Sequence, residues 1–65
     1  MDNRAKAFGA TVLDTLLDEA GGKWMAEHEI ASINLMSRDA VRIGLEWLAD
    51  MRQVHRAPGI AKAAA

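Results

Sequence analysis

Four residues in the middle of the chain have the side chains and spacing needed to contact base edges. Ser37, Arg38, Asp39 and Arg42 lie within six positions, and a helix would bring the two arginines, four apart, to one face. A guanidinium group can donate two parallel hydrogen bonds to guanine, and a carboxylate can accept one from cytosine. The same arginines are also typical of an ordinary solvated helix surface, so the pattern alone leaves both interpretations open.

A second group of basic residues follows toward the C-terminal end. Arg52, His55, Arg56 and Lys62 lie within eleven positions, so basic side chains are concentrated in this part of the chain. Residues 1–37 hold three basic and six acidic groups, whereas residues 38–65 hold five basic and three acidic groups. The whole chain has a formal net charge of −1. A single copy is therefore expected to bind DNA weakly, and a homodimer reading two half-sites would bind better.

The spacing of apolar residues predicts three helices that would position these groups. An amphipathic helix with an acidic outer face is expected over residues 3–20 and ends at Gly21-Gly22. A short helix follows over residues 26–33, and a break over 34–36 contains Asn34, a residue type that tolerates the left-handed conformation. Ser37 is a strong N-cap for a longer helix that extends to Met51 or Arg52.

A hairpin is predicted after the third helix. Residues 53–56 alternate so that Val54 points inward and His55 outward, and Ala57-Pro58-Gly59 is typical of a tight turn. We therefore expect a single domain over residues 1–61, mostly α-helical with a small β-hairpin, and an alanine-rich tail over residues 62–65 that frays. Trp24 and Trp47 are expected to anchor a small core.

This order of elements resembles the winged helix-turn-helix superfamily of DNA-binding domains. The resemblance depends on Glu29-Ile30-Ala31, on Met36-Ser37-Arg38, and on Val41 followed by Leu45 and Trp47-Leu48. It implies a three-helix winged helix-turn-helix fold and sequence-specific DNA binding by a small transcriptional regulator. The third helix would enter the major groove, and the hairpin, or wing, would lie on the backbone. The superfamily commonly has glycine where this chain has Leu35.

Under this resemblance, the residues expected to contact DNA are Ser37, Arg38, Asp39, Arg42, Arg52, His55 and Arg56.

No comparable set of residues predicts an enzyme, a metal site or a cofactor site. The chain has no cysteine, and its two histidines, His28 and His55, have no second ligand at a metal-binding spacing. Gly21-Gly22 lacks the lysine and hydroxyl residue that complete a phosphate-binding loop. Asp14 and Asp18 belong to an exposed helix face, which is not typical of a carboxylate pair that carries out acid–base chemistry.

Membrane association is not expected from this sequence. No apolar run approaches the roughly 18 residues that span a bilayer, and the N-terminal residues lack the layout of a signal peptide. The polar face of the first helix carries Asp14, Asp18 and Glu19, whereas helices that lie on membranes usually carry lysine and arginine there. We therefore expect a cytoplasmic protein that uses no small-molecule cofactor.

A protein partner is the alternative to double-stranded DNA. The acidic first helix and the low net charge are also typical of a winged-helix domain that docks on another protein and has no direct role on DNA. A further arrangement, a helical bundle of two chains, requires residues 53–61 to be helical, and Pro58-Gly59 disfavours it.

Overall fold

Three helices and a small antiparallel sheet form the fold. The computed structural model describes residues 3–64. Its elements are α1 (Asn3–Asp18), β1 (Met25–Ala26), α2 (Glu27–Asn34), α3 (Arg38–Asp50), β2 (Val54–Ala57) and β3 (Ile60–Ala63). The strand order is β1-β3-β2. The expected fold class, mostly α-helical with a small hairpin in a winged-helix-like arrangement, is confirmed.

Aliphatic side chains from all three helices form the core between the helices and the sheet. On the sheet side, the core is completed by Ala61 and Ala63 of β3 and by Val54 of β2. Complete burial of one large aliphatic side chain contributes roughly 1.5–3 kcal/mol, so a few such residues stabilise a chain of this size. The largest fully buried side chains are Val12, Leu16, Ile30, Val41, Leu45 and Leu48.

Helices α1 and α3 approach each other closely at two glycines. A Cβ atom on Gly44 would lie 2.8 Å from the carbonyl carbon of Phe8 and 2.9 Å from the nitrogen of Gly9, and a Cβ on Gly9 would lie 2.6 Å from Cε3 of Trp47. Trp47 therefore packs into the contact between the two helices and against the core, as expected.

The expectation that Trp24 anchors the core is wrong. Trp24 is 45% exposed, and Nζ of Lys62 lies 5.3 Å from the centroid of its ring. A cation over the ring face gives this amphipathic side chain a partner at the surface.

The turn between α2 and α3 differs from expectation by one residue. Asn34 remains helical because its side-chain amide donates to Thr15 Oγ1 at 2.8 Å and to the Ile30 carbonyl at 2.9 Å, which ties α2 to α1. The left-handed residue is Leu35, with φ 52°. Ser37 is the N-cap of α3, as predicted, and its Oγ accepts from the Ala40 N–H at 3.0 Å.

The hairpin has its turn at Pro58-Gly59, and Gly59 has the positive φ of 75° that a type II turn requires at this place. Val54 is buried and His55 is exposed, as the alternation predicts.

The expected fraying of residues 62–65 is wrong for Lys62 and Ala63. These two residues pair with His55 and Val54, and Ala63 has only 6% of its surface exposed. Cross-strand pairing and burial outweigh the low strand preference of alanine; residue 65 lies outside the described residues.

Candidate nucleic-acid interface

Three arginines converge on one buried carboxylate. Glu27 has 3% of its surface exposed. Its Oε1 accepts a hydrogen bond from Arg42 Nε at 3.2 Å and lies 3.8 Å from a terminal nitrogen of Arg38. Its Oε2 lies 3.5 Å from a terminal nitrogen of Arg56. Both carboxylate oxygens are thus engaged by side chains of α3 and of the hairpin. We call these four residues the arginine cluster.

The start of α2 places Glu27 against the hairpin. Ala26 precedes the helix and offers no side-chain cap, so the first backbone N–H groups of α2 need other partners. The Glu27 N–H donates to the carbonyl of Gly59 at 2.9 Å, and Ala26 itself pairs with Ile60 of β3. The turn of the hairpin is therefore fixed to the first residue of α2, which brings Arg56 to the Glu27 carboxylate.

Helix α3 supplies the other two arginines from its first two turns. Arg38 is its first residue, and Arg42 follows one turn later on the same face. The side chains of Arg38 and Arg42 are 49% and 55% exposed. Arg42 contacts Glu27 through Nε, and more than half of its side chain remains exposed to solvent. Each arginine therefore meets the carboxylate on one side and solvent on the other.

A shallow cleft separates the hairpin turn from α3. Its volume is about 450 Å³, and it is open to solvent. The four side chains of the arginine cluster carry three positive charges and one negative charge, which leaves an excess of two positive charges beside this cleft. A cleft with an excess of positive charge attracts anionic groups such as phosphates. The residues that line it are Glu27, Arg42, Arg56, Ala57, Pro58 and Gly59.

The remaining predicted residues lie around the arginine cluster or away from it. Ser37 and Asp39 are exposed at the start of α3, where Ser37 caps the helix. Arg52 is exposed between α3 and β2, in a left-handed conformation with φ 58°. The structure does not bring His55 to the arginine cluster. His55 and Arg56 are neighbours on one strand, and neighbouring side chains point to opposite faces of a sheet.

His55 belongs instead to the outer face of the sheet. It pairs directly with Lys62 across the two strands, and directly paired residues project from the same face. Lys62 in turn stacks its ammonium over Trp24. The outer face of the sheet thus carries a separate group formed by His55, Lys62 and Trp24. Of the basic residues predicted in the hairpin, Arg56 lies near α3, whereas His55 and Lys62 do not.

Sequence reasoning missed Glu27 as a member of this site. An acidic residue in the first turn of a helix is sufficiently explained by the helix dipole, and the division of charge along the chain assigns Glu27 to the acidic half. Two arginines four apart in α3 and a third in the hairpin were the available signal that a shared counter-ion could lie among them. The residue that supplies it comes from a third element, and local spacing does not reveal it.

Comparisons of the chain with protein-family models, with curated proteins and with solved structures find no match. No helix within residues 3–64 combines the length and the apolar character needed to cross a bilayer. In the same part of the chain, no group of three or more histidine, aspartate or glutamate residues could hold a metal ion. The geometry of the arginine cluster is therefore the main guide to function.

Proposed function

We propose that this chain is the sequence-specific DNA-binding domain of a small cytoplasmic transcriptional regulator. Helix α3 enters the major groove, and the β2–β3 hairpin lies along the adjacent backbone. The observation that supports this proposal is the convergence of Arg38 and Arg42 from α3 with Arg56 from the hairpin on one solvent-facing surface. Groove contacts and backbone contacts are thereby available on the same side of the molecule.

The dimensions of α3 suit this role. Its 13 residues form a helix of roughly 20 Å at 1.5 Å per residue, and the major groove, about 12 Å wide, admits such a helix. Recognition helices contact base edges through their N-terminal residues, and Arg38, Asp39 and Arg42 occupy the first two turns of α3. The backbone N–H groups at the same helix start favour a nearby phosphate.

The balance of charge limits how tightly one copy would bind. Phosphate neutralisation provides most of the non-specific affinity for DNA, and the chain as a whole has a formal net charge of −1. A homodimer on two half-sites doubles the number of contacts, and its operator would be an inverted repeat. We include this homodimer in the proposal.

Replacement of Arg42 tests the assignment of α3. Arg42→Ala is expected to weaken binding to a duplex selected from a randomised pool by about 1–3 kcal/mol and to relax the preference at one base pair. Fluorescence anisotropy with the selected duplex and with its single-base variants measures both effects. Lys6→Ala, an exposed site on α1 with the same change of charge, is the control and is expected to keep the sequence preference. Unchanged binding by Arg42→Ala at moderate salt would contradict the assignment.

A protein-interaction module remains the second candidate, because a different surface favours it. Leu17, Ile33 and Leu35 are 51%, 47% and 96% exposed. A cleft of about 220 Å³ between α1 and α2 contains Ile33 beside the carboxylates of Asp14 and Asp18. Association that does not respond to salt and that shifts the amide resonances of Leu17, Ile33 and Leu35 would favour this function, whereas log affinity that falls linearly with log salt would favour DNA.

A further inference from the structure

The burial of Glu27 needs an explanation beyond stability. Of the acidic residues within 3–64, Glu27 alone is buried. Removal of a carboxylate from water is costly unless charged partners compensate for it. Apolar residues that replace a buried ion cluster often leave stability unchanged or raise it. The arginine cluster is therefore a weak way to stabilise the fold, and what it does provide is a fixed arrangement of three guanidinium groups.

The carboxylate joins two elements that would contact DNA separately. Its Oε1 engages Arg42 and Arg38 of α3, and its Oε2 engages Arg56 of β2. We propose that Glu27 is the positioning residue of this face: it fixes the three arginines relative to one another and withholds part of their charge from indiscriminate phosphate contacts. This inference rests on the proposed function, and it assigns to Glu27 the control of selectivity between a specific site and other DNA.

The effect of Glu27 on selectivity follows from the way in which affinity for DNA depends on positive charge. Non-specific affinity grows with the number of phosphates that cationic side chains neutralise, whereas specific affinity requires guanidinium groups in a defined orientation at base edges. An ion pair to Glu27 lowers the first contribution and preserves the second. The ratio of specific to non-specific affinity decides occupancy in a genome, so Glu27 raises selectivity at the expense of total affinity.

Glu27→Gln separates this role from a purely structural one. Glutamine retains the size of the side chain and an oxygen that can accept from Arg42, but it removes the negative charge. The variant is expected to bind a random-sequence 20-base-pair duplex about three- to tenfold more tightly at low salt. Its plot of log affinity against log salt is expected to be steeper by about 0.9 for each additional phosphate that the released arginines neutralise. A residue with only a structural role would weaken binding when replaced and would not steepen this slope.

Glu29→Gln is the matched control, because Glu29 lies on the same helix, is exposed, and undergoes the same change of charge. Its slope is expected to remain that of the wild type. Equal slopes for both variants, with salt-dependent binding by the wild type, would overturn the role of Glu27 and leave DNA binding intact. No salt-dependent binding by any of the three proteins would overturn the proposed function together with the role inferred from it.

A measurement on the wild-type protein without DNA tests the positioning directly and does not depend on a variant that folds. Heteronuclear ¹⁵N relaxation of the arginine Nε–H groups reports side-chain order on the ps–ns timescale. The Arg42 Nε–H, which donates to Glu27, is expected to be nearly as ordered as the backbone and clearly more ordered than that of the exposed Arg52. An Arg42 group as mobile as that of Arg52 would overturn the inference.

Discussion

At the scale of single residues, the backbone conformation of Leu35 lowers the stability of the folded state. It has a φ of 52°, and its surface is 96% exposed. An L-residue with a side chain pays roughly 1–2 kcal/mol for the left-handed conformation, and an apolar side chain in water gains no burial in return. The turn geometry is nevertheless formed, because the backbone N–H groups of Leu35 and Met36 donate to carbonyls at the end of α2.

Leu35→Gly is expected to raise the free energy of unfolding by about 0.5–1 kcal/mol. Glycine avoids the left-handed penalty and loses part of that gain to its greater freedom in the unfolded chain. Urea denaturation measures the change. Leu35→Ala, which keeps a Cβ atom and therefore the penalty, is the control and is expected to change stability by less than about 0.5 kcal/mol. A Gly variant less stable than the wild type would show that the Leu35 side chain contributes a contact of its own.

At the scale of elements, the contact between α1 and α3 sets the position of α3 and therefore of its arginines. Gly44 lies against the backbone of Phe8 and Gly9, so the two helices approach without an intervening side chain. Backbone atoms cannot move aside as the end of a flexible side chain can. The small residue is thus required by the close approach and not by backbone conformation, since Gly44 is absent from the residues with positive φ.

Gly44→Ala is expected to lower the free energy of unfolding by about 1–2 kcal/mol, measured by chemical denaturation. Alanine is favoured over glycine in a helix by about 1 kcal/mol, but the steric cost of overpacking, about 1–3 kcal/mol or more, outweighs that gain where the neighbour is backbone. Thr11→Ala, at an exposed position of α1, is the control for helix preference and is expected to stabilise slightly. A more stable Gly44→Ala protein would contradict the close contact.

Local signals in the sequence account for most of the elements. The hydroxyl of Ser37 and the periodic apolar residues predict α3 almost to its ends, and Pro58-Gly59 predicts the hairpin. Contacts between distant segments explain what was missed. The Asn34 amide bonds to Thr15 and moves the left-handed turn to Leu35, and cross-strand pairing orders Lys62 and Ala63. The role of Glu27 could not be predicted from local sequence for the same reason, because Glu27 is buried only when α2, α3 and the hairpin pack together.

For the molecule as a whole, the positive charge of the arginine cluster and the exposed apolar surface at Leu17 and Ile33 lie in different regions. The arginine cluster combines α3 with the hairpin, while α1 carries exposed carboxylates next to exposed Leu17 and Ile33. Division of the chain at residue 37 predicts this separation only in part, because Glu27 comes from the acidic half and lies among the basic residues. The two regions define the two functional proposals, and each makes a distinct prediction about where a ligand would bind.

An amide-shift titration of the ¹⁵N-labelled protein with a random-sequence duplex at low salt tests the central claim most directly. The account predicts shifts concentrated in residues 37–42 and 52–60, which fade as salt rises because the release of counterions from DNA favours binding less at higher salt. Few shifts are expected on the outward face of α1. Shifts confined to α1 and the end of α2, or no shifts at low salt, would contradict DNA binding through α3 and the hairpin.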